Sequence, residues 1–315
     1  MIIYANQCLR ASITAMHEVL EVIAREKSTV SIEGKITAVK EIFELQGMMK
    51  LKEDEKKYVR TQKTVHAIIP AAGKPATEDS LETFLQDCPM AMLDVEGKPL
   101  LQRIVESLNL AGIQDVTVIT GYLGEKVDVD AIERRHVADH HLVGLLHSIE
   151  QAADKFSDSV LIHFGDVIVS HENLRALVAC DDPIVLMVSP LLRGDRYERK
   201  AFDLVEMEKP RSAGRTLEKN PKSTLKSIGK ALDAARSHGE FIGLLLLNPE
   251  GVRIWREAIK KLPEAKIRTW SLNDFLQALI DDGAPITTFE SQTGWAEVHS
   301  HGDYEQLCGL LRSEQ

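Results

Sequence analysis

The chain has 315 residues, of which 44 % are hydrophobic and 27 % are charged. It carries 38 basic and 48 acidic residues, which gives a formal net charge of −10. This composition is typical of a globular protein with room for one large domain or two modest ones. The acidic balance argues against a general nucleic-acid binder, which needs a basic surface to contact phosphates.

Cysteine usage and apolar patterning predict a cytoplasmic protein without a membrane span. The four cysteines have no CxxC pair and no Cys/His ligand spacing, as expected of structural thiols in a reducing compartment: Cys8, Cys88, Cys180 and Cys308. The N-terminal residues MIIYANQCLRAS lack the pattern of a signal peptide. No apolar run approaches the roughly 20 residues that span a bilayer.

Residues 1–60 are predicted to be a helical segment. Apolar residues recur there at steps of three and four, as on one face of a helix: Leu9, Ile13, Met16, Leu20 and Ile23. Ser31 offers an N-cap for a second helix. The charged run Lys50–Lys57 indicates a solvated helix end or linker before the next region.

From residue 64 onward, short apolar runs alternate with amphipathic stretches. The runs VHAIIP, DVTVIT, SVLIHF, PIVLMV and FIGLLLL predict strands that are buried on both faces. Leu100–Leu110 and Leu142–Ala153 have helical spacing, whereas Pro210–Ser227 has the polar composition of a mobile loop. This alternation predicts an α/β layered sheet with ligands at the carboxyl ends of the strands.

The N-terminal residues YANQCLRASITAMHEVLEVI and VSIEGKITAVKEIFELQGM resemble the C-terminal end of phosphoenolpyruvate mutase. The resemblance covers roughly residues 1–50 and includes neither the barrel nor its catalytic loop. The resemblance therefore implies no mutase chemistry here. Helices that pack on the barrel in the mutase would have apolar faces without that partner, and the chain could form a homo-oligomer through them. Because phosphoenolpyruvate mutase opens phosphonate biosynthesis, the resemblance favours a phosphonate as substrate of the following domain.

The segments VHAIIPAAGKP and CPMAMLDVEGKPLLQRIVESLNLAGIQDVTVITGY give residues 64–315 a resemblance to the nucleotidyltransferases. The segment TGYLGEK and the region after it resemble the cytidylyltransferases in particular. The resemblance implies a Rossmann-like layered mixed sheet of the nucleotidyltransferase type. It also implies that the nucleotide is bound by a small-residue turn and by a second loop, comprising Ala71, Ala72, Gly73, Gly121 and Tyr122. Lys74 and Lys98 would face the phosphates.

The nucleotide loop departs from the family's pattern in its charge. It reads GKPATEDSLETF, without the family's second glycine and arginine, and with the acids Glu78, Asp79 and Glu82. Met90 stands where the family has a lysine after proline. Both departures remove positive charge from the place where phosphoryl transfer needs it.

The resemblance implies a metal site at the other end of the domain. Asp166 follows the buried strand SVLIHF in a Gly-Asp pair, where the family holds Mg²⁺ with a carboxylate. The later motif GWAEVHSHGDYEQL has His299 where the family has its second metal carboxylate, and Asp303 is expected to cap the final helix. Three interpretations of His299 stay open: a changed metal preference that would admit Mn²⁺, a phosphate donor, or a lost second ligand.

The substrate side is implied by two shorter motifs. LVEMEKPRS resembles the Glu-Lys-Pro of sugar-nucleotidyltransferases, which makes Lys209 a candidate contact for an anionic acceptor. EFIGLLLL places Glu240 and Gly243 near the substrate pocket, and the basic run Arg193–Lys200 could cover a phosphonate or phosphate.

Two functions remain open on the sequence. The first is an enzyme that transfers CMP from CTP, or a nucleotidyl group from another NTP, to a small phosphonate or phosphate, with Mg²⁺ as cofactor. The second is a catalytically degenerate domain that keeps the fold and acts as a binding or scaffolding module. Met90, His299 and the missing arginine favour the second hypothesis, whereas Asp166, Lys98 and Lys209 favour the first.

Overall fold

The structure, a computed structural model, describes residues 63–74, 81, 85, 87–190, 203–208 and 222–313. The chain divides into two units, Met1–Gln62 and Lys63–Gln315. The first unit lies outside the described residues. The predicted N-terminal helices, and the predicted association through them, therefore stay predictions.

The second unit is built from thirteen described strands and seven described α-helices. The strands are β1 Val65–Ala71, β2 Asp94–Val95, β3 Lys98–Pro99, β4 Asp115–Thr120, β5 Glu133–His136, β6 Ser159–His163, β7 Val167–Val169, β8 Ile184–Pro190, β9 Leu204–Met207, β10 Lys222–Gly229, β11 Gly239–Leu247, β12 Ile286–Glu290 and β13 Trp295–Glu297. The helices are α1 Leu100–Leu110, α2 Leu145–Glu150, α3 His171–Val178, α4 Pro249–Lys261, α5 Glu264–Thr269, α6 Leu272–Asp281 and α7 His301–Ser313. None of these described helices is long and apolar enough to cross a membrane.

Nine of the strands form one mixed sheet in the order β5-β4-β1-β6-β11-β8-β12-β10-β9. The first four strands in this order run parallel to one another, and β11 is antiparallel to β6 and to β8. Two small sheets stand apart from it, β13 with β7 and β2 with β3. The long sheet places the carboxyl ends of β4, β1 and β6 side by side at one edge.

Helices cover both faces of this sheet. Alternate residues along each strand point to opposite faces, so the apolar strands pack against helices on both sides. Ala67 and Ile69 of β1 belong to one buried cluster, which also contains apolar residues of α1, α3 and α7. Ile68 belongs to a second cluster, with residues of α2, α4 and α6 that include the fully buried Trp255 and Phe275. The fold is therefore a three-layer α/β structure, in agreement with the predicted layered mixed sheet.

All five strands predicted from apolar runs are present as β1, β4, β6, β8 and β11, and α1 has the predicted bounds. The helix predicted over Leu142–Ala153 is shorter, at Leu145–Glu150. It begins late because Gly144 packs so closely against the backbone of Thr269 and Trp270 that no side chain would fit there. The Gly144 N–H donates a hydrogen bond to the carbonyl oxygen of Arg268, which lies outside this helix.

The loop predicted over Pro210–Ser227 is wrong in its second part, since Lys222–Gly229 is strand β10. Within β10, Ser223, Leu225 and Ile228 are buried and face the protein. The polar residues between them occupy the exposed side of the strand. The polar composition therefore concealed an alternation of buried and exposed residues. This alternation suits a strand that pairs with β12 on one side and β9 on the other.

Candidate active site

The carboxyl ends of three neighbouring parallel strands bring the predicted site residues together. β1 pairs with β4 so that Ala71 lies opposite Thr120, and with β6 so that Ile68 lies opposite Ile162. The loop that follows each strand therefore starts at the same edge of the sheet. In open α/β sheets this edge is where ligands bind.

A cleft of about 310 Å³ opens at this edge. It is lined by Pro70, Ala71, Gly73, Lys74, Met90, Ala91, Leu145, Phe164, Gly165, Asp166 and His299. Predicted nucleotide-binding and predicted metal-binding residues thus share one cavity, although they lie far apart in the chain.

The nucleotide end of the cleft, residues 71–74 with Met90, is formed mainly by backbone and small side chains. Ala71 and Gly73 line the cleft, whereas Ala72 is buried beneath it. A Cβ added to Gly73 would meet no atom of the described residues within 4 Å, so among these residues the space over this backbone is open to a ligand. Lys74 is the one lysine or arginine among the described residues that line the cleft, and Met90 faces the same space.

The loop after β4 supports the loop after β1. The backbone N–H of Tyr122 donates to the carbonyl oxygen of Ala72 at 2.9 Å. A Cβ on Gly121 would lie only 2.6 Å from that oxygen, so the close approach of the two loops requires glycine. The Lys74 ammonium lies 5.8 Å from the centroid of the Tyr122 ring, within reach of a cation–π interaction. Gly121 and Tyr122 adjoin the cleft without lining it.

Lys98 forms an ion pair with a carboxylate on helix α1. Its ammonium donates to both carboxylate oxygens of Glu106, at 2.7 and 2.9 Å. This hydrogen bond is the main reason that the pKa of Glu106 lies below its usual value. Lys98 is absent from the described lining of the cleft, so its contact with phosphates stays a prediction.

Asp166 and His299 line the other end of the cleft, and Glu297 lies beside them outside the described lining; these three residues are called the metal end. Asp166 follows β6 through Gly165 and leads directly into β7, which pairs antiparallel with β13 so that Glu297 lies opposite Val167. The N–H of Val298 continues this pairing by donating to the carbonyl oxygen of Asp166 at 3.0 Å. Two segments from distant parts of the chain are therefore held in register at this point.

The three side chains of the metal end converge. One ligand atom from each of Asp166, Glu297 and His299 lies within 4.8 Å of the others. His299 Nε2 is 3.9 Å from Asp166 Oδ2 and forms a hydrogen bond with Glu297 Oε1. Because an ionised carboxylate can only accept, Nε2 is the donor in this bond. All three side chains are partly exposed, and those of Asp166 and His299 line the cleft.

Glu297 is a site residue that the sequence motif did not identify. The motif identifies His299 instead, because this residue replaces an expected carboxylate. In an extended segment, residues two positions apart point to the same side, so Glu297 and His299 can reach the same group. That period of two was the signal available in the sequence.

Asp303 is inside the final helix and is not its N-cap. Helix α7 begins at His301, and Ser300 Oγ accepts from the N–H of Asp303 at 3.2 Å. Asp303 Oδ2 accepts in return from the N–H groups of Ser300 and His299, at 3.0 and 3.1 Å. This reciprocal capping arrangement fixes the backbone of His299 at the start of the helix.

Phe164 and Gly243 connect the cleft to strand β11. Phe164 lines the cleft and its ring packs against Phe241 with centroids 5.7 Å apart. Gly243 has φ +84°, and a Cβ there would lie 2.7 Å from the Phe164 ring. Gly243 thus makes room for a cleft residue, whereas its predicted place near the substrate pocket stays a prediction.

Four predicted features lie outside the described residues. They are Lys209, the basic run Arg193–Lys200, and the acidic residues Glu78, Asp79 and Glu82 of the nucleotide loop, together with most of that loop. Their roles stay predictions.

Comparisons with known proteins agree with this arrangement of strands and loops. The chain is 25 % identical over 270 residues to bifunctional protein GlmU of Nitrosomonas europaea, a match that covers 80 % of this chain and 52 % of the relative. GlmU of Nitrosomonas eutropha is 24 % identical over 243 residues, with 72 % and 48 % covered. The chain therefore spans about half the length of these curated relatives. No protein-family model matches it.

A shorter match supports the resemblance to phosphoenolpyruvate mutase. The phosphoenolpyruvate phosphomutase of Tetrahymena pyriformis is 44 % identical over 59 residues, which cover 19 % of this chain and 20 % of that protein. Only a fragment of the mutase is represented.

Solved structures are similar over most of the chain. The CTP:phosphocholine cytidylyltransferase of Streptococcus pneumoniae (LicC) has a TM-score of 0.59 at 15 % identity and covers 79 % of this chain and 99 % of its own. A putative glucose-1-phosphate thymidylyltransferase of Bacillus anthracis has the same TM-score and identity, with 79 % and 95 % covered. A UDP-glucose pyrophosphorylase has a TM-score of 0.55 at 15 % identity, with 79 % and 99 % covered. The second unit therefore has the α/β fold of the nucleotidyltransferases.

Proposed function

We propose that this chain is a nucleotidyltransferase that transfers CMP from CTP to a small phosphonate and releases pyrophosphate. The observation that carries the proposal is the shared cleft. The small-residue turn after β1 and Asp166 after β6 line the same cavity, on a nucleotidyltransferase fold, at the edge of the sheet where ligands bind.

The reaction needs positioning and charge neutralisation more than proton transfer. A phosphonate oxygen, ionised at neutral pH, attacks the α-phosphorus of CTP, and the bond from that phosphorus to the oxygen bridging to the β-phosphate breaks. Pyrophosphate carries away the electron pair, so no general base is required. The backbone at Ala71–Gly73 binds the nucleotide, and Lys74 lies beside the phosphates. Lys98 and Lys209 are further candidate phosphate and acceptor contacts from the sequence.

A divalent metal ion fits the other end of the cleft. Two carboxylates and an imidazole within 4.8 Å are a donor set that could hold one, through Asp166, Glu297 and His299. A bound divalent ion would supply positive charge to the triphosphate. Mg²⁺ is the ion expected for this class of transferase, with Mn²⁺ as the alternative that His299 admits.

The choice of CTP and a phosphonate is supported by two similarities. One structural neighbour is named as acting on CTP and phosphocholine, a small phosphorylated acceptor. The fragment that resembles a phosphoenolpyruvate mutase favours acceptors with a carbon–phosphorus bond, such as aminoethylphosphonate or hydroxyethylphosphonate.

Met90 favours a second candidate function, a degenerate domain that keeps the fold and acts as a binding or scaffolding module without catalysing transfer. This side chain lines the cleft at the position of a family lysine, and a thioether can neither carry charge nor donate a hydrogen bond to a phosphate. The described nucleotide end thus has little positive charge with which to stabilise a transferring phosphoryl group.

A pyrophosphate-release assay separates the two candidates. The full chain is incubated with CTP, UTP or dTTP, with aminoethylphosphonate, hydroxyethylphosphonate or phosphocholine, and with Mg²⁺ or Mn²⁺. We expect release with CTP and a phosphonate. Absence of release under every condition, together with no CTP binding by calorimetry, would contradict the enzyme and support the degenerate domain.

The double variant Met90→Lys and His299→Asp adds a second test, with Met92→Lys as a control for Met90→Lys. Met92 packs against the same core but is absent from the described cleft lining. If the double variant gains activity that the natural chain lacks, the natural domain is a decayed transferase. If it slows a working enzyme, the natural residues are adaptations.

A further inference from the structure

The metal end of the cleft has a nitrogen donor where an all-oxygen set would suit Mg²⁺. We propose that Asp166, Glu297 and His299 form a site selective for a divalent transition-metal ion such as Mn²⁺, with His299 Nε2 as a ligand. The inference rests on the proposed function for its place in the reaction, but it concerns which ion the site prefers and is tested on the metal alone.

The backbone holds the three side chains where one ion can reach them all. The β7–β13 register places Glu297 opposite Val167, one residue after Asp166, and the Val298 N–H extends that pairing to the Asp166 carbonyl oxygen. The capping bond from the His299 N–H to Asp303 secures the other end of the segment. The site is therefore built on paired backbone rather than on a free loop, which favours a defined coordination geometry.

The orientation of His299 distinguishes a metal ligand from a phosphate donor. Its Nε2 lies 3.9 Å from Asp166 Oδ2 and is hydrogen-bonded to Glu297 Oε1. An imidazole that serves as a phosphate donor would direct this nitrogen toward the triphosphate and away from carboxylates. Here the nitrogen and both carboxylates point toward one another, so loss of the Nε2 proton, which binding to a metal requires, would present three ligand atoms to one cation.

The donor set then determines the preferred ion. Mg²⁺ demands oxygen ligands in near-ideal octahedral geometry and retains several waters. Imidazole binds first-row transition metals better than it binds Mg²⁺, and carboxylates accept Mn²⁺ readily. Replacing one expected carboxylate by His299 while Glu297 supplies another keeps two negative ligands and adds a nitrogen. This exchange shifts the preference from Mg²⁺ toward Mn²⁺.

Direct detection of the nitrogen ligand tests the proposal. The full chain is freed of metal with a chelator and titrated with MnCl₂, and binding is followed by electron paramagnetic resonance with MgCl₂ as competitor. We expect Mn²⁺ to bind with spin-echo modulation from a directly coordinated ¹⁴N nucleus. His299→Ala should abolish this modulation and weaken Mn²⁺ binding by at least about tenfold, since even indirect supports of metal ligands contribute that much.

His299→Asp provides the sharper comparison, because it keeps a ligand but changes its donor atom. We expect it to lose the ¹⁴N modulation, to retain Mn²⁺, and to shift the ratio of Mn²⁺ to Mg²⁺ affinity about tenfold toward Mg²⁺. His171→Ala is the matched control, because His171 is a partly exposed histidine at the start of α3 outside the described cleft lining. It should leave modulation and affinities unchanged. Circular dichroism confirms that each variant is folded.

Two results would overturn the inference: Mn²⁺ bound without ¹⁴N modulation in the natural chain, or an affinity ratio that His299→Asp leaves unchanged. Failure of the proposed function looks different. If ¹⁴N-coordinated Mn²⁺ is present but no NTP and acceptor pair yields pyrophosphate, the metal site stands and the transferase does not. If Mg²⁺ supports turnover and no ¹⁴N ligand is seen, the transferase stands and the metal preference does not.

Discussion

The two ends of the cleft are built in different ways. The metal end consists of ionisable side chains, Asp166, Glu297 and His299, carried on segments that pair in register. The nucleotide end consists of the backbone at residues 71–73, with Lys74 and the apolar Met90 beside it. One end offers charge and ligand atoms, whereas the other offers space and backbone N–H groups.

This difference suggests where the function depends on individual side chains. At the nucleotide end, backbone groups can bind a nucleotide with many different side chains in place. At the metal end, each of the three side chains contributes one proposed ligand atom, so loss of one donor atom removes one of the proposed ligands. We therefore expect substitutions at the metal end to have larger effects on turnover than substitutions at the nucleotide end.

The largest expected effect is that of Asp166→Asn. Replacing the carboxylate by an amide removes a proposed, negatively charged metal ligand from the cleft, and we expect nucleotidyl transfer to fall by about a hundredfold or more. Pyrophosphate release measures the loss. The control is Asp158→Asn, an exposed residue that precedes the same strand β6 at its far end. Comparable losses in both variants would show that the carboxylate at the cleft has no special role.

Gly243→Ala tests the support of the cleft by strand β11. The added Cβ would meet the Phe164 ring at 2.7 Å in a backbone conformation with φ +84°, so we expect the free energy of unfolding to fall by about 2–3 kcal/mol. Urea unfolding gives this value, and turnover should fall with it because Phe164 lines the cleft. Gly309→Ala is the control, since a Cβ on this exposed residue of α7 meets no atom of the described part of the chain within 4 Å. That variant should be as stable as the natural chain or more so, by up to about 1 kcal/mol.

His163 makes the strand that leads to Asp166 sensitive to pH. Burial lowers the pKa of His163 to about 4, and its Nδ1–H donates to the Phe164 carbonyl oxygen at 2.8 Å. Between roughly pH 6.5 and 4 the unfolded chain therefore binds more protons than the folded chain. The free energy of unfolding is unaffected by His163 above about pH 6.5 and decreases as the pH falls below that value. We expect a loss of about 2 kcal/mol between pH 7 and pH 5 from this residue. Urea unfolding at both pH values should show a loss smaller by that amount in His163→Gln. An equal loss in both proteins would refute the assignment.

The smallest expected effect compares two lysines at the nucleotide end. Lys74→Ala removes a cation from the cleft lining, and we expect CTP binding to weaken by about tenfold, the value of one charge-assisted hydrogen bond. Lys98→Ala instead breaks a partly exposed ion pair with Glu106, which contributes at most about 1 kcal/mol to stability. Calorimetric titration with CTP should therefore separate the two variants. If Lys98→Ala weakens CTP binding more than Lys74→Ala, the family's phosphate role for Lys98 is correct.

Much of the fold could be predicted from contiguous sequence. β1, β4, β6, β8 and β11 are buried on both faces, and such strands appear as uninterrupted apolar runs. β10 could not be recognised because its buried residues Ser223, Leu225 and Ile228 stand among polar and charged residues, and an irregularity after Leu225 lengthens their spacing from two to three. Strands that alternate in burial with polar side chains are the ones that composition conceals.

The site was predictable where a motif names the residue and its structural position together. Asp166 could be identified because a buried strand ending in Gly-Asp places a carboxylate at the ligand edge of the sheet. Lys98 also belongs to a motif, but its partner Glu106 lies eight residues later in α1. Only the tertiary structure shows that these two side chains form a pair. Glu297 could not be assigned from the sequence, because its proposed ligand role depends on its proximity to Asp166, which only the tertiary structure shows.

The sequence by itself determined the layered α/β class, the small-residue turn after β1 and the carboxylate after β6, because these follow from local runs of side chains. The tertiary structure alone decided that Asp166, Glu297 and His299 face one another and that Gly243 makes room for Phe164. Those contacts join residues that are distant in the chain, so they depend on strand order and register. Local patterns carry no information about either, and the register of a β-pair decides which donor atoms can share one ion.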